Sequence, residues 1–421
     1  MKNLRLRKGL LISLCLFMVA GIGFAQGSKE QVSDTTVIKM EQYSATNSND
    51  SGPALNEMIA LFEKENPTIK VELQTIGYTD YFTQLQSKVV GGNAADLFEL
   101  NYENFVSYAS EGVLSPMGDS LGDVSGFNET ALNAFNYNGE QFGIPDSFSN
   151  VVLFYNKDLF DRAGIDYPTS SWTWKDIETA GAKIRALDDN IFGFYRPLTF
   201  NEFYKAAAQN SSSLIDVDAK KFTINTPTNI KVAEEMASWQ NETNIMPTEA
   251  QMGGMGDWDL FKSERLGMLV TGIWAFNDFT TNCDFPWDIS IEPGNTQKAC
   301  HFFSNAYVVS SDSKNKAAAI KLAKFLAGSK EAAAIRVEAA WELPPVNYPD
   351  ILKSYLEITP PNNRQAVFDS LNYLVTPPVV KQQAEMNAII DKYLSEIVYQ
   401  KMSAKEALDA CQSELESKIS L

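Results

Sequence analysis

The chain predicts an α/β fold built as two lobes, and three observations lead there. From Val37 onward, apolar runs of strand length alternate with amphipathic helical stretches, the pattern of a parallel sheet covered by helices. A second region of the same kind opens at Val151. Removing a 25-residue leader from 421 residues leaves 396, more than one hydrophobic core ordinarily holds.

The leader is residues 1–25. Lys2, Arg5, Arg7 and Lys8 precede an apolar run within Gly9–Phe24, and Gly23-Phe24-Ala25 places small residues at a cleavage site. The run is short for a spanning helix, which needs about 20 apolar residues, so it reads as a cleaved secretion signal rather than an anchor. Ile12-Ser13-Leu14-Cys15 loosely resembles a lipobox, which leaves lipid attachment at Cys15 as an alternative. Leu14 is larger than the usual residue before such a cysteine. Residues 26–36 are polar and aperiodic, a tether.

Val37–Tyr43 reads as the first strand, followed by a helix from Gly52-Pro53 with Leu55, Met58, Ile59 and Phe62 on one face. Pro67 ends it. Ile69–Leu73 forms the next strand, and Tyr81, Phe82, Leu85 and Val89 mark a helix stopped by Gly91-Gly92. Asn138-Gly139 is a tight-turn dipeptide, and Gly143-Ile144-Pro145 leads into a loop. Val151–Tyr155 is apolar without polar alternation, a buried central strand. Gly164 closes a short helix, and Thr173 with Asp176 opens another as a capping box. The C-terminal third is helical, with an amphipathic stretch from Met386 to Val398 and a capping box at Ser403 and Glu406.

Composition narrows function. The leader carries four basic residues and no acids, so the exported chain holds 31 Lys and Arg against 53 Asp and Glu, a net charge of −22. That field repels phosphate backbones and anionic lipid, so neither nucleic acid nor a membrane surface is an expected partner. There is one histidine and no C-x-x-C, so zinc, haem and dithiol chemistry lack support and no cofactor or metal is expected. Cys283 and Cys300 flank a strand and turn and are candidates for a disulfide in an oxidising compartment. Cys411 shares a helical face with Leu408, Leu415 and Ile419 and reads as an inert buried thiol.

In open α/β sheets, ligands sit beyond the carboxyl ends of the strands. That rule selects Tyr43 and Thr46 after the first strand, Asn101, Tyr102 and Glu103 after the Leu97 strand, and Asp146, Ser147 and Phe148 in the loop after Gly143. His301, Ser304 and Asn305 supply further hydrogen-bonding groups, and Phe200, Phe203 and Trp341 further aromatic walls. Each aromatic has an ordinary core role as its alternative, and each carboxylate a solvated surface role. For His301 a structural or hydrogen-bonding role is expected, not catalysis.

Four segments in order carry a family resemblance. They are FEKENPTIKV at 62–71, GNAADLF at 92–98, the block from Gly143 through YNKDLFDRAG to SWTWKDI at 177, and FKSERLGMLVTGIW at 261–274. Residues 311–326 add SDSKNKAAAIKLAKFL. Together they resemble extracellular solute-binding proteins of family 1, the sugar-binding subunits of ABC importers, which include maltose-binding members. The resemblance implies a periplasmic-binding-protein fold whose lobes interleave in sequence around a hinge and a central ligand cleft. Lobe one would comprise 35–147 plus 302–346, and lobe two 150–300 plus 350–421, with crossings near Ser147–Asn150 and Phe302–Ala306. It also implies that Trp274 is the aromatic on which a sugar ring stacks, and that Glu103 is a sugar-binding carboxylate. Here the chain departs from the family, lacking its frequent tryptophan near Leu100. The implied function is a monomeric periplasmic subunit that hands a carbohydrate to a permease, and not an enzyme. Two alternatives remain open from the residues: a secreted hydrolase using two carboxylates, or a binding protein serving a membrane sensor. No G-x-S-x-G, H-E-x-x-H or catalytic cysteine context favours the hydrolase.

Overall fold

The computed structural model describes residues 35–44, 52–339 and 343–421. The leader, residues 26–34 of the tether, Cys15, Thr46 and Trp341 lie outside them. Thr35–Leu421 cluster as one unit.

The first third is a run of parallel βα units. Strand β1 (Thr36–Ser44) is followed by helix α1 (Gly52–Glu65), β2 (Ile69–Gly77), α2 (Tyr78–Val90), β3 (Leu97–Asn101) and α3 (Tyr102–Ser110). Helix α1 buries Leu55, Met58, Ile59 and Phe62 at helical spacing, and α2 buries Tyr81 and Leu85. β1 pairs in parallel with both β2 and β3, so all three carboxyl ends lie at one edge.

Strand β4 (Gly143–Asn156) is longer than its apolar core suggests: all fourteen residues are buried. The Gly143–Asn150 segment, read from sequence as a loop, is therefore strand. The Asn138-Gly139 turn before it forms as expected, both residues at positive φ between two short paired strands. Helices α4 (Lys157–Ala163), α5 (Trp174–Arg185) and α6 (Phe200–Gln209) follow, interleaved with β5 (Phe192–Tyr195). Gly164 caps α4 in the left-handed region at φ 63°, and Thr173 and Asp176 form the capping box that starts α5. β6 (Leu266–Gly272), β7 (Trp287–Ser290) and β8 (Cys300–Ser310) complete the main strands.

Their order is β2-β1-β3-β8-β4-β6-β5, with β7 also on β4. β8 is antiparallel to both β3 and β4, and so joins the parallel first third to the rest. The core divides accordingly. Two clusters use residues 38–144 and 306–332. A third uses 151–300 together with 380–419 from the C-terminal helices. A fourth packs Phe148, Phe154 and Phe276 against Ala333, Val337, Leu343 and Tyr355, so Ala333, Val337, Leu343 and Val346 share a core with the 148–302 region.

Within the third cluster lies a buried ionic network. Arg196 bonds Glu202 at 2.7 Å, and Lys205 bonds Glu202 at 2.8 Å and Glu292 at 2.9 Å. Gln209 ties in the Trp174 indole at 2.9 Å, and Arg196 lies 5.1 Å over that ring. Burial would raise the Glu202 carboxyl, but Lys205 and Arg196 together hold it below its ordinary value. Two cations and two anions balance, which is what keeps such charges tolerable away from water.

The proposed disulfide is absent. Cys283, Cys300 and Cys411 are all free thiols. Cys300 points into the third cluster, its Sγ 3.1 Å from the Val151 carbonyl, whereas Cys283 packs against the fourth. Spacing suggested a pair, but the strand between them delivers the two side chains to different cores. Cys411 is fully buried, and burial pushes its thiol up to about 12.

Candidate functional site

The site begins where the parallel strands end. Tyr43, one residue from the end of β1, is half-buried among aromatic rings of α2, 5.2 Å from Tyr78 and 5.3 Å from Tyr81. Its hydroxyl donates to Oδ1 of Asn305 at 2.5 Å. Asn101 ends β3 and caps α3: its Oδ1 accepts the Asn104 N–H at 3.2 Å, and its Nδ2 donates to Glu103 at 2.7 Å. Glu103 therefore stands in the first turn of α3, where a carboxylate suits the helix dipole. It is nearly buried, and its Oε1 lies 3.7 Å from Nε2 of His301.

β8 presents the next row. Ser304 Oγ donates to the Ser147 carbonyl at 3.0 Å, and Asn305 Nδ2 donates to Ser147 Oγ at 3.1 Å. The His301 ring stacks on Phe303 with centroids 3.4 Å apart, and its Nδ1 lies 2.7 Å from the Tyr204 hydroxyl on α6. Burial pushes His301 below its usual value, against the opposing pull of Glu103, so it is a neutral hydrogen-bonding group. Phe303 in turn meets the Trp274 indole edge to face at 5.1 Å. Trp274 sits in a short 3₁₀ turn after β6, half-buried, its ring folded back over Gly272.

Asp146 has a different setting. β4 pairs Pro145 with Ala306 and Ser147 with Asn305, which leaves Asp146 as the extra residue of a β-bulge. It is buried beside Arg336 at 3.6 Å, and Arg336 donates to the Tyr307 hydroxyl at 3.3 Å. Burial pushes the Asp146 carboxyl up to about 6, against the pull of Arg336.

Tyr43, Asn101, Glu103, Ser147, His301, Ser304 and Asn305 are thus brought together, with Trp274 joined through Phe303. Tyr102 stands half-buried beside Phe302, its hydroxyl turned to Thr376. Phe148, Phe200 and Phe203 are packed in hydrophobic cores, where they cannot offer a ring face to a ligand, and Asp146 faces Arg336. Thr46 and Trp341 fall outside the described residues. Tyr204, Phe303, Arg336 and Tyr78 were not anticipated. Of these, only Tyr78 carried a readable signal, its place directly after a parallel strand. Among the described residues no group of His, Cys, Asp and Glu gathers as for a metal ion, and no helix is long and apolar enough to cross a membrane.

The sequence profile of the bacterial extracellular solute-binding protein family matches residues 45–333. The chain is 44% identical to an ABC substrate-binding protein of Listeria monocytogenes solved in complex with cycloalternan, with a TM-score of 0.87, covering 91% of this chain and 99% of that one. A galactooligosaccharide-binding protein of Bacillus subtilis is 24% identical over 407 residues, 91% of each chain. A solute-binding protein of Thermotoga lettingae bound to α-D-tagatose is 20% identical at a TM-score of 0.81, with 91% of this chain and 99% of that one covered, a likeness of fold alone.

Proposed function

The chain belongs to the bacterial extracellular solute-binding proteins, and from that premise we propose that it captures a neutral oligosaccharide between two lobes and hands it to an ABC permease. The observation that carries this is the convergence of a carboxylate, two amides and hydroxyls at one strand edge, linked through Phe303 to a half-exposed indole. A pyranose offers the matching chemistry: a C–H face for the aromatic, and hydroxyls for Glu103, Asn101 and Asn305. No arginine clamp is among these groups, which favours an uncharged ligand. The relative in complex with cycloalternan makes gluco-oligosaccharides, cyclic ones included, the first candidates.

The lobes are assigned as 35–147 plus 302–346 and 150–300 plus 350–421. Crossings at Ser147–Asn150 and Phe302–Ala306 act as hinge, closing around ligand as periplasmic binding proteins do. The cores support this for residues 38–144 with 306–332 on one side and 151–300 with 380–419 on the other, while Ala333, Val337, Leu343 and Val346 pack with Phe154 and Phe276, which favours an end of lobe one nearer residue 332. The Asp146 bulge immediately precedes the first crossing, where the ladder is interrupted. Residues 1–25 act as an export signal, the site of action is periplasmic or extracellular, and the protein works as a monomer without catalysing a reaction.

Isothermal titration against cycloalternan, maltotriose, galacto-oligosaccharides and arabino-oligosaccharides tests this, with thermal shift as a second readout, since a ligand bound only by the folded state raises the melting temperature. Binding of at least one, with no release of reducing ends, is expected. The absence of heat and of thermal shift with every saccharide would refute it.

A further inference from the structure

We infer that Tyr78 is a ligand-binding residue, a second aromatic platform on lobe one for a sugar ring. The inference rests on the reading that the chain binds a saccharide. Tyr78 directly follows Gly77, the last residue of β2, and so stands at the carboxyl edge of the parallel strands beside Tyr43. There it leaves 45% of its surface open, whereas Tyr81, on the same helix, is fully buried. A lone exposed aromatic is ordinary on a protein surface. This one is held in place.

Its ring meets Tyr43 edge to face at 5.2 Å and 74°, and Phe82 at 5.7 Å and 86°, so two neighbours fix its orientation. Its phenol reaches the Asn101 side chain and lies near the Glu103 carboxylate. Asn101 thus joins the tyrosine to the carboxylate, to which it already donates at 2.7 Å. A ring whose rotamer is locked before binding loses little freedom on binding, and that is the property a stacking surface needs. A sugar lying on Tyr78 would find acceptors for its hydroxyls at Glu103, within the same hydrogen-bonded group. The buried phenol end and open ring surface match the amphipathic shape of such a ligand. Val90, Val217 and Tyr399, also exposed, stand at helix ends or turns with no comparable polar neighbours from the candidate site.

The test uses the full exported chain with cycloalternan and maltotriose in isothermal titration. Tyr78→Ala and Tyr78→Leu should weaken binding about tenfold or more, while Tyr78→Phe, which keeps the ring, should stay within about threefold. Tyr78→Leu keeps apolar bulk against Tyr43 and Phe82, so it remains informative if the alanine variant melts early. Tyr399→Ala, remote on the C-terminal helices, should change nothing. Wild-type binding with Tyr78→Leu within about twofold of it would overturn this inference alone. A wild-type chain that binds no saccharide would overturn the function reading, and this inference with it.

Discussion

Gly272 offers the most direct way to move the candidate stacking residue without deleting it. A Cβ built on Gly272 would lie 2.1 Å from two ring carbons of Trp274. Carbons in contact sit about 3.5 Å apart, so in Gly272→Ala the indole has to retreat by about 1.4 Å. The backbone raises no objection, since Gly272 is at φ −80° and ψ 158°, where alanine is at ease. The effect is therefore aimed at the ring. A ligand covering one face of a tryptophan removes about 100 Å² of it from water, worth about 2.5 kcal/mol at 25 cal/mol per Å². Aromatic geometry adds about 0.5–1.5 kcal/mol. A displacement above 1 Å forfeits up to about half of such contact, so Gly272→Ala should lose about 1–2 kcal/mol, a five- to thirtyfold rise in Kd. Trp274→Ala should lose more. Titration with the best-binding saccharide gives the affinity, and tryptophan emission reports the altered ring environment. If Trp274→Ala abolishes binding while Gly272→Ala binds like wild type, the geometry argued for the indole is refuted.

Three further outcomes follow from the buried groups. Lys205→Met removes a cation held by Glu202 and Glu292 and leaves two buried carboxylates to share Arg196, so urea unfolding should show a loss of about 3–5 kcal/mol, and an unchanged midpoint would show that the network contributes nothing. His301 is neutral when folded because burial depresses it, with Glu103 opposing and Lys205 and Glu202 nearby, whereas an unfolded histidine titrates near about 6.5. Below that pH the unfolded chain binds the extra proton, so stability falls as pH falls; His301→Gln should flatten the urea midpoint between about pH 7 and 5, and an unflattened profile would count against the depressed value. Since the three described cysteines are free, a reductant should leave the melting temperature unchanged; a drop of several degrees would restore the disulfide rejected above.

What was legible in the sequence divides by the range of the interaction. Capping boxes at Thr173 and Ser403 and the left-handed Gly164 were readable because each is closed within four residues. The edge rule found Tyr43, Asn101 and Glu103 because parallel strands end together whatever packs on them. The same rule misplaced Asp146 and Phe148, because Gly143 and Pro145 signal a loop locally. The pairing that overrides them comes from β8, more than 150 residues later. Pro145 is tolerated there because it stands beside the bulge, where a ladder is already broken. Cys283 and Cys300 failed as a pair for a related reason: spacing along the chain says nothing about which core a side chain enters.

His301 shows the limit most plainly. Its position and hydrogen-bonding role were readable, but its charge depends on burial and on two partners from other elements, Tyr204 and Glu103. Only folding assembles that environment. It leaves the one histidine of the chain neutral, hydrogen-bonded to Tyr204 of α6 and facing Glu103 of α3 across 3.7 Å.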